Sequence, residues 1–68
     1  MKIYELPEHQ NIKLYYQNQI IIFDHIDGLY SYCWLESNIT KIIHINATTQ
    51  LRKFRDGYKI MVVSNEYI

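Results

Sequence analysis

Cysteine occurs once, at Cys33, so an internal disulfide is excluded. Glycine occurs twice, at Gly28 and Gly57, and proline once, at Pro7. That supply builds no glycine-rich phosphate loop. Neither sign of charge is in excess: seven Lys and Arg balance seven Asp and Glu, for a formal net charge of zero. A dedicated polyanion binder carries a basic surplus, so this balance argues against one. It also removes the net repulsion that keeps copies of a protein apart. No apolar run approaches the ~20 residues that cross a bilayer as a helix. The opening residues, Met1 to Pro7, carry no leader-type apolar core, and the expectation is a cytoplasmic protein. Internal repeats and low-complexity tracts are also lacking.

What is present is β-forming. Twelve isoleucines and seven tyrosines stand among 68 residues, and aromatics make up 15%. Such side chains suit a pleated, half-buried surface, and alternation of apolar and polar residues recurs where long helical periodicity does not. The length supports one small β domain spanning residues 1–68. At that size only about 60% of the unfolded surface is buried on folding, and stability leans on disulfides, metal or association. With one cysteine and no Cys/His cluster at zinc spacing, association is the expected route.

The organising feature is a hairpin centred on Asp27-Gly28. Ile20 to Ile26 leads in and Leu29 to Glu36 leads out. Asp-Gly between β-rich runs is a strong signal for a two-residue loop. A loop formed by those two residues sets Ile26 opposite Leu29. One face then carries Ile20, Ile22, Asp24, Ile26, Leu29, Ser31, Cys33 and Leu35. The other carries Ile21, Phe23, His25, Tyr30, Tyr32 and Trp34. Both faces are apolar, yet one small domain has one core.

Elsewhere, Lys2 to Leu6 reads as a first strand ended by Pro7. Ile12 to Tyr16 is a second, followed by a turn at 17–19 in which Asn18 tolerates a left-handed backbone. Ser37-Asn38 is a turn and Ile39 to Asn46 a strand, with Ile43 and Ile45 on one face and Ile42 and His44 on the other. Thr48 or Thr49 is positioned to cap one helical turn. Leu51 to Arg55 and Tyr58 to Val63 flank Asp56-Gly57 as a closing hairpin, and residues 64–68 form a tail. The resulting fold class is all-β, a small SH3-like barrel of five to seven short antiparallel strands. The expected core draws on Ile3, Leu14, Ile20, Ile22, Ile26, Leu29, Cys33, Leu35, Ile43, Ile45, Leu51, Ile60 and Val62.

The segment Phe23-Asp24-His25-Ile26-Asp27-Gly28-Leu29-Tyr30-Ser31-Tyr32-Cys33 resembles stretches in short, uncharacterised β proteins of tailed phages. It covers about a sixth of the chain and carries no catalytic signature. The resemblance implies a phage-type accessory protein.

Four constellations bear on function. The aromatic face (Phe23, His25, Tyr30, Tyr32, Trp34) is the expected interaction surface, because aromatic anchors characterise protein interfaces. A nucleic-acid stacking platform needs basic residues beside it, and this hairpin has none. The run Arg52-Lys53-Phe54-Arg55 is the alternative polyanion contact, through Arg52, Lys53 and Arg55 with nearby aromatics. Strand alternation divides its charge between two faces, and a charged edge strand also guards against aggregation. Among nucleophiles, Cys33 lies opposite Ile22 in an apolar setting that suppresses the thiolate. Ser31 lies opposite Asp24, where the pair satisfies a polar spot near the core. His25 falls on the other face, so Asp24, His25 and Ser31 form no triad. His9, His25 and His44 are spaced 16 and 19 apart, without paired metal spacing, and alternation directs Asp24 away from His25. No metal, cofactor or catalytic residue is therefore expected. The two Asn-x-Thr sequences, at Asn38 and Asn46, are read as chance sequons. The reading is a non-enzymatic interaction and assembly module, partnered by a second copy or another protein.

Overall fold

A computed structural model describes residues 1–61. Six strands form one mixed sheet: β1 Ile12–Tyr16, β2 Gln19–Asp27, β3 Tyr30–Leu35, β4 Asn38–Asn46, β5 Leu51–Phe54 and β6 Gly57–Ile60. Their order is β4-β3-β2-β1-β6-β5. Neighbours pair antiparallel except β1 and β6, which run parallel at Leu14↔Tyr58 and Tyr15↔Lys59. The class is all-β as expected. Two details of the expected topology are corrected: the pairing is not wholly antiparallel, and the described strands do not close into a barrel. The sheet is instead strongly curled. β4 stands at one edge and β6 is fifth in the order, yet Ile43 and Ile45 line the same cavity as Ile60 and Met61.

The expected first strand is also corrected. Ile3–Glu5 is a single 3-10 turn, and only Lys2 makes a β-bridge, to Gln50. The turn is tied to the rest of the chain by backbone bonds from Ile3 N–H to Thr49 O and from Tyr4 N–H to Ala47 O, both 3.1 Å. It buries Ile3 and Leu6 against one end of the core. No helical turn follows Asn46. Its side-chain oxygen accepts from Thr48 N–H at 2.9 Å and Thr48 Oγ1 at 2.6 Å. Asn38 holds Thr40 in the same way. Both Asn-x-Thr sequences are thus Asx-type turn devices, which is the physical reason for the pattern.

The loops differ from expectation by one residue each. Asp27 pairs with Tyr30, so the hairpin loop is Gly28-Leu29, with Gly28 at φ +66°. Glycine with positive φ at the first loop position is the pattern of a type II′ hairpin. Gln17-Asn18, both at positive φ, joins β1 to β2, one residue shorter than the expected turn because Gln19 already pairs with Tyr16. Phe54 pairs with Gly57, so Arg55-Asp56 forms the last loop and Gly57 sits in β6. Gly57 answers to packing rather than to a turn: a Cβ there would lie 2.2 Å from the Lys13 carbonyl oxygen.

The core face is set by a β-bulge. Phe23 pairs with Cys33 and His25 with Tyr32, so Asp24 is an extra residue. Before it, odd positions face inward; after it, even ones do. Ile21, Phe23 and Cys33 are fully or almost fully buried, with Leu14, Leu51 and Ile60 around them. Ile26, Leu35, Ile43 and Ile45 pack against this cluster as expected. Two core assignments fail. Leu29 is at the hairpin tip, 76% exposed. Ile20 is only half-buried, opposite Tyr15. Ile22 is buried as expected, but in the row of Trp34 and Lys13 on the other face. Val62, the end of the strand expected to reach Val63, and the tail lie outside the described residues. Among the described residues, no helix is long and apolar enough to cross a membrane.

Candidate functional site

The face opposite the core is the candidate site. Register carries a row of side chains across it: Lys13 (β1), Ile22 (β2), Trp34 (β3) and Ile42 (β4). The next row is His25, Tyr32 and His44. The Tyr32 ring stacks on His25 (centroids 4.9 Å apart) and meets His44 edge-on at 5.2 Å. Tyr30 lies between Asp27 and Asn46 and is half exposed. Ile42 is also exposed, while Tyr32 and Trp34 are half-buried. Four of the five residues expected on this surface are therefore here. The fifth, Phe23, is corrected to the core: the Asp24 bulge separates it from His25, so the two face opposite ways despite their spacing of two. Ile22, Ile42 and His44 are the neighbours that the altered register brings in.

The bulge also overturns the expected separation of Asp24 from His25. His25 Nδ1 donates to Asp24 Oδ2 at 2.7 Å. His9, carried in by the loop before β1, donates through Nδ1 to Asp24 Oδ1 at 3.3 Å and stacks its ring on His25 at 5.7 Å. Hydrogen bonding from His25, and then from His9, holds the Asp24 carboxyl below its ordinary range, against an opposing effect of burial. The loop is pinned by His9 N–H to Asp24 O at 2.7 Å and by Ile26 N–H to Glu8 Oε2 at 2.9 Å. The ligand atoms of His9, Asp24 and His25 lie within 4.8 Å of one another, and they are the three described residues so grouped. Sequence reasoning missed His9 because no strand pattern places it. The one signal was a polar pair, Asp24-His25, inside an apolar strand.

The expected Asp24–Ser31 pair does not form. Ser31 is buried and donates from Oγ to Ile45 O at 2.8 Å, with Cys33 Sγ 3.4 Å away. Cys33 is buried opposite Phe23, not Ile22, and burial pushes its thiol pKa up. An inert structural thiol fits that setting.

The basic run lies at the other side of the sheet. Arg52 and Lys53 are exposed on β5, the edge strand. Arg55 leaves the strand at φ +52° and lays its guanidinium over Phe54, 5.2 Å from the ring centroid, so it is not directed away from Phe54 as alternation implied. Lys59 lies 5.6 Å over the same ring, and Tyr15 meets it edge-on at 5.1 Å. Lys53 instead lies over Tyr58. Carboxylates intrude here. Tyr15 OH donates to Asp56, and Lys13 Nζ stands 3.5 Å from Asp56 and 3.7 Å from Glu36. Asp56, then Glu36, raises the Lys13 pKa, and the Tyr15 hydrogen bond lowers that of Asp56.

On the concave side, the described residues leave a cavity of about 790 Å³ between β4 and the end of β6, lined by Ile21, Ile43, Ile45 and Ile60. Comparison with known proteins finds no matching family model, curated protein or solved structure.

Proposed function

We propose that the protein is a non-enzymatic assembly module that pairs with a second copy of itself through the outer face of β2, β3 and β4. The observation that supports this most directly is the row Ile22–Trp34–Ile42, set beside His25–Tyr32–His44 on the face turned away from the core. Aromatic and aliphatic anchors backed by a rigid sheet make the centre of an interface, and a two-fold pairing brings the same patch of each copy together. β4 adds an edge of nine residues with one charged side chain, Lys41, weakly guarded against strand addition. Zero net charge opposes neither contact. The resemblance of residues 23–33 to phage proteins fits an accessory role in an assembly. An SH3-like fold remains part of the reading, supported by the curl of the sheet.

The test is solution mass by light scattering across a concentration series, with the Tyr32→Ser/Trp34→Ser double variant beside the parent chain. The parent is expected to form a dimer, and the variant a folded monomer with an unchanged far-ultraviolet spectrum. A parent chain that stays monomeric at every concentration overturns the proposal. The polyanion reading through Arg52, Lys53 and Arg55 draws on the cations stacked over Phe54. It takes precedence if that monomer binds single-stranded oligonucleotide with an affinity that falls steeply with salt.

A further inference from the structure

We propose that His9, Asp24 and His25 bind one divalent first-row transition ion of borderline softness, with Zn²⁺ as the type. This rests on geometry independent of the assembly reading. Two imidazole nitrogens and a carboxylate oxygen converge from two separate segments, the loop before β1 and the bulge of β2. That donor set suits zinc, nickel, copper or cobalt and is ill matched to Ca²⁺ or Mg²⁺, which take oxygen. Donors bound about 2.0–2.1 Å from a tetrahedral ion stand about 3.3 Å apart. Asp24 Oδ1 lies 3.3 Å from His9 Nδ1 and Oδ2 lies 2.7 Å from His25 Nδ1, and one ligand atom from each of the three residues lies within 4.8 Å of the other two.

The site is built rather than merely crowded. Asp24 reaches the histidines because it is the extra residue of the bulge, and bulges commonly re-aim side chains at functional positions. His9 holds a left-handed backbone (φ +60°), an arrangement uncommon outside glycine. It is kept there by its own N–H bond to Asp24 O and by the Glu8 carboxylate on Ile26 N–H. Stacking on Tyr32 sets the plane of the His25 ring. The His9 side chain is two-thirds exposed, so water has access to complete the coordination. The one thiol of the chain, Cys33, is buried among Phe23, Ser31 and Ile43 and does not compete for the ion.

The chemistry balances without a redox partner. In the metal-free chain the ring nitrogen facing Asp24, Nδ1 of each histidine, carries the hydrogen of the contact. On binding that proton leaves Nδ1, a proton stays on Nε2, the Nδ1 lone pair turns to the ion, and Asp24 exchanges two hydrogen bonds for a metal bond. Three bonds to one ion would staple the loop before β1 to β2 in a chain that has no disulfide.

The untagged chain, stripped with chelator, is titrated with Zn²⁺ by calorimetry and with Co²⁺ by visible absorption. The expected result is one ion per chain, a rise in thermal midpoint with Zn²⁺, and a loss of more than about tenfold in affinity for His9→Ala and for His25→Ala. His9 is exposed, so its variant folds, and circular dichroism checks that. His44→Ala, on the same face but outside the cluster, is expected to keep the affinity. Absence of saturable binding, or binding that survives both His9→Ala and His25→Ala, overturns the proposal.

Discussion

Asp24 Oδ2 accepts a hydrogen bond from Nδ1 of His25, its immediate neighbour in β2, at 2.7 Å. In an unbroken strand adjacent side chains point to opposite faces. Here the extra residue of the bulge brings them together, and it also decides which half of β2 faces the core. Deleting Asp24 restores simple alternation and leaves Phe23 and Ile26 both on the inner face, still opposite Cys33 and Ser31. The expected outcome is a cooperative unfolding transition that is retained, without the Asp24 contacts to His9 and His25. Asp24→Ala keeps the residue count and is expected to cost only about 1 kcal/mol, the worth of its hydrogen bonds. Urea unfolding of the two variants separates register from side-chain chemistry.

Phe23 and Leu29 exchange their expected roles. Phe23→Ala opens a cavity at a fully buried position and is expected to cost about 3–5 kcal/mol. That is enough to unfold most chains of this size. Leu29→Ala, at the exposed hairpin tip, is expected to stay within about 0.5 kcal/mol of the parent. Denaturant midpoints measure both.

The two glycines are expected to fail for different reasons. At Gly28 an added Cβ meets open space but must hold φ +66°, so Gly28→Ala is expected to cost about 1 kcal/mol. At Gly57 the same atom collides with the Lys13 backbone and drives β6 from β1. Gly57→Ala is therefore expected to cost more, about 3 kcal/mol, as overpacking does at its upper end. Thermal midpoints should rank Gly57→Ala well below Gly28→Ala.

Burial raises the Cys33 thiol pKa in the folded chain. The unfolded chain loses that proton at a lower pH, so stability is complete below the ordinary thiol range of about 8.5 and declines as pH rises past it. Cys33→Ala is expected to flatten this alkaline decline. Thiol labelling of the parent chain should be slow in buffer and accelerate with urea. Fast labelling of the folded chain would show that Cys33 is open to solvent.

The amino-acid pattern carried much of the fold. Isoleucine and tyrosine content made the class legible, and Cys33, Ser31 and Leu35 were placed on the inner face from period-two spacing alone. The bulge was not legible, because the Asp24-His25 pair breaks no rule of alternation until its partner strand is known. The β2 residues just upstream of it, Ile20 to Phe23, inverted as a result. At β1, Leu14 was expected in the core on pattern, while the parallel neighbour β6 was not foreseen, since hairpin signals speak only of antiparallel neighbours. His9 joined the site through a loop, where spacing carries no information about direction.

The parallel seam between β1 and β6 has a consequence for the order of assembly. β1 to β4 follow one another through two-residue loops, so their pairing needs only local search. The β5–β6 hairpin must instead come back across the chain to Leu14 and Tyr15, where only Gly57 lets it lie flush against Lys13. Contacts so distant in sequence form late and release early. The molecule is then a four-stranded meander closed by a clasp. Amide exchange at Tyr58 and Lys59 should outrun that at Phe23 and Cys33. Opening the clasp uncovers the edge of β1 and leaves the outer face of β2–β4 in place.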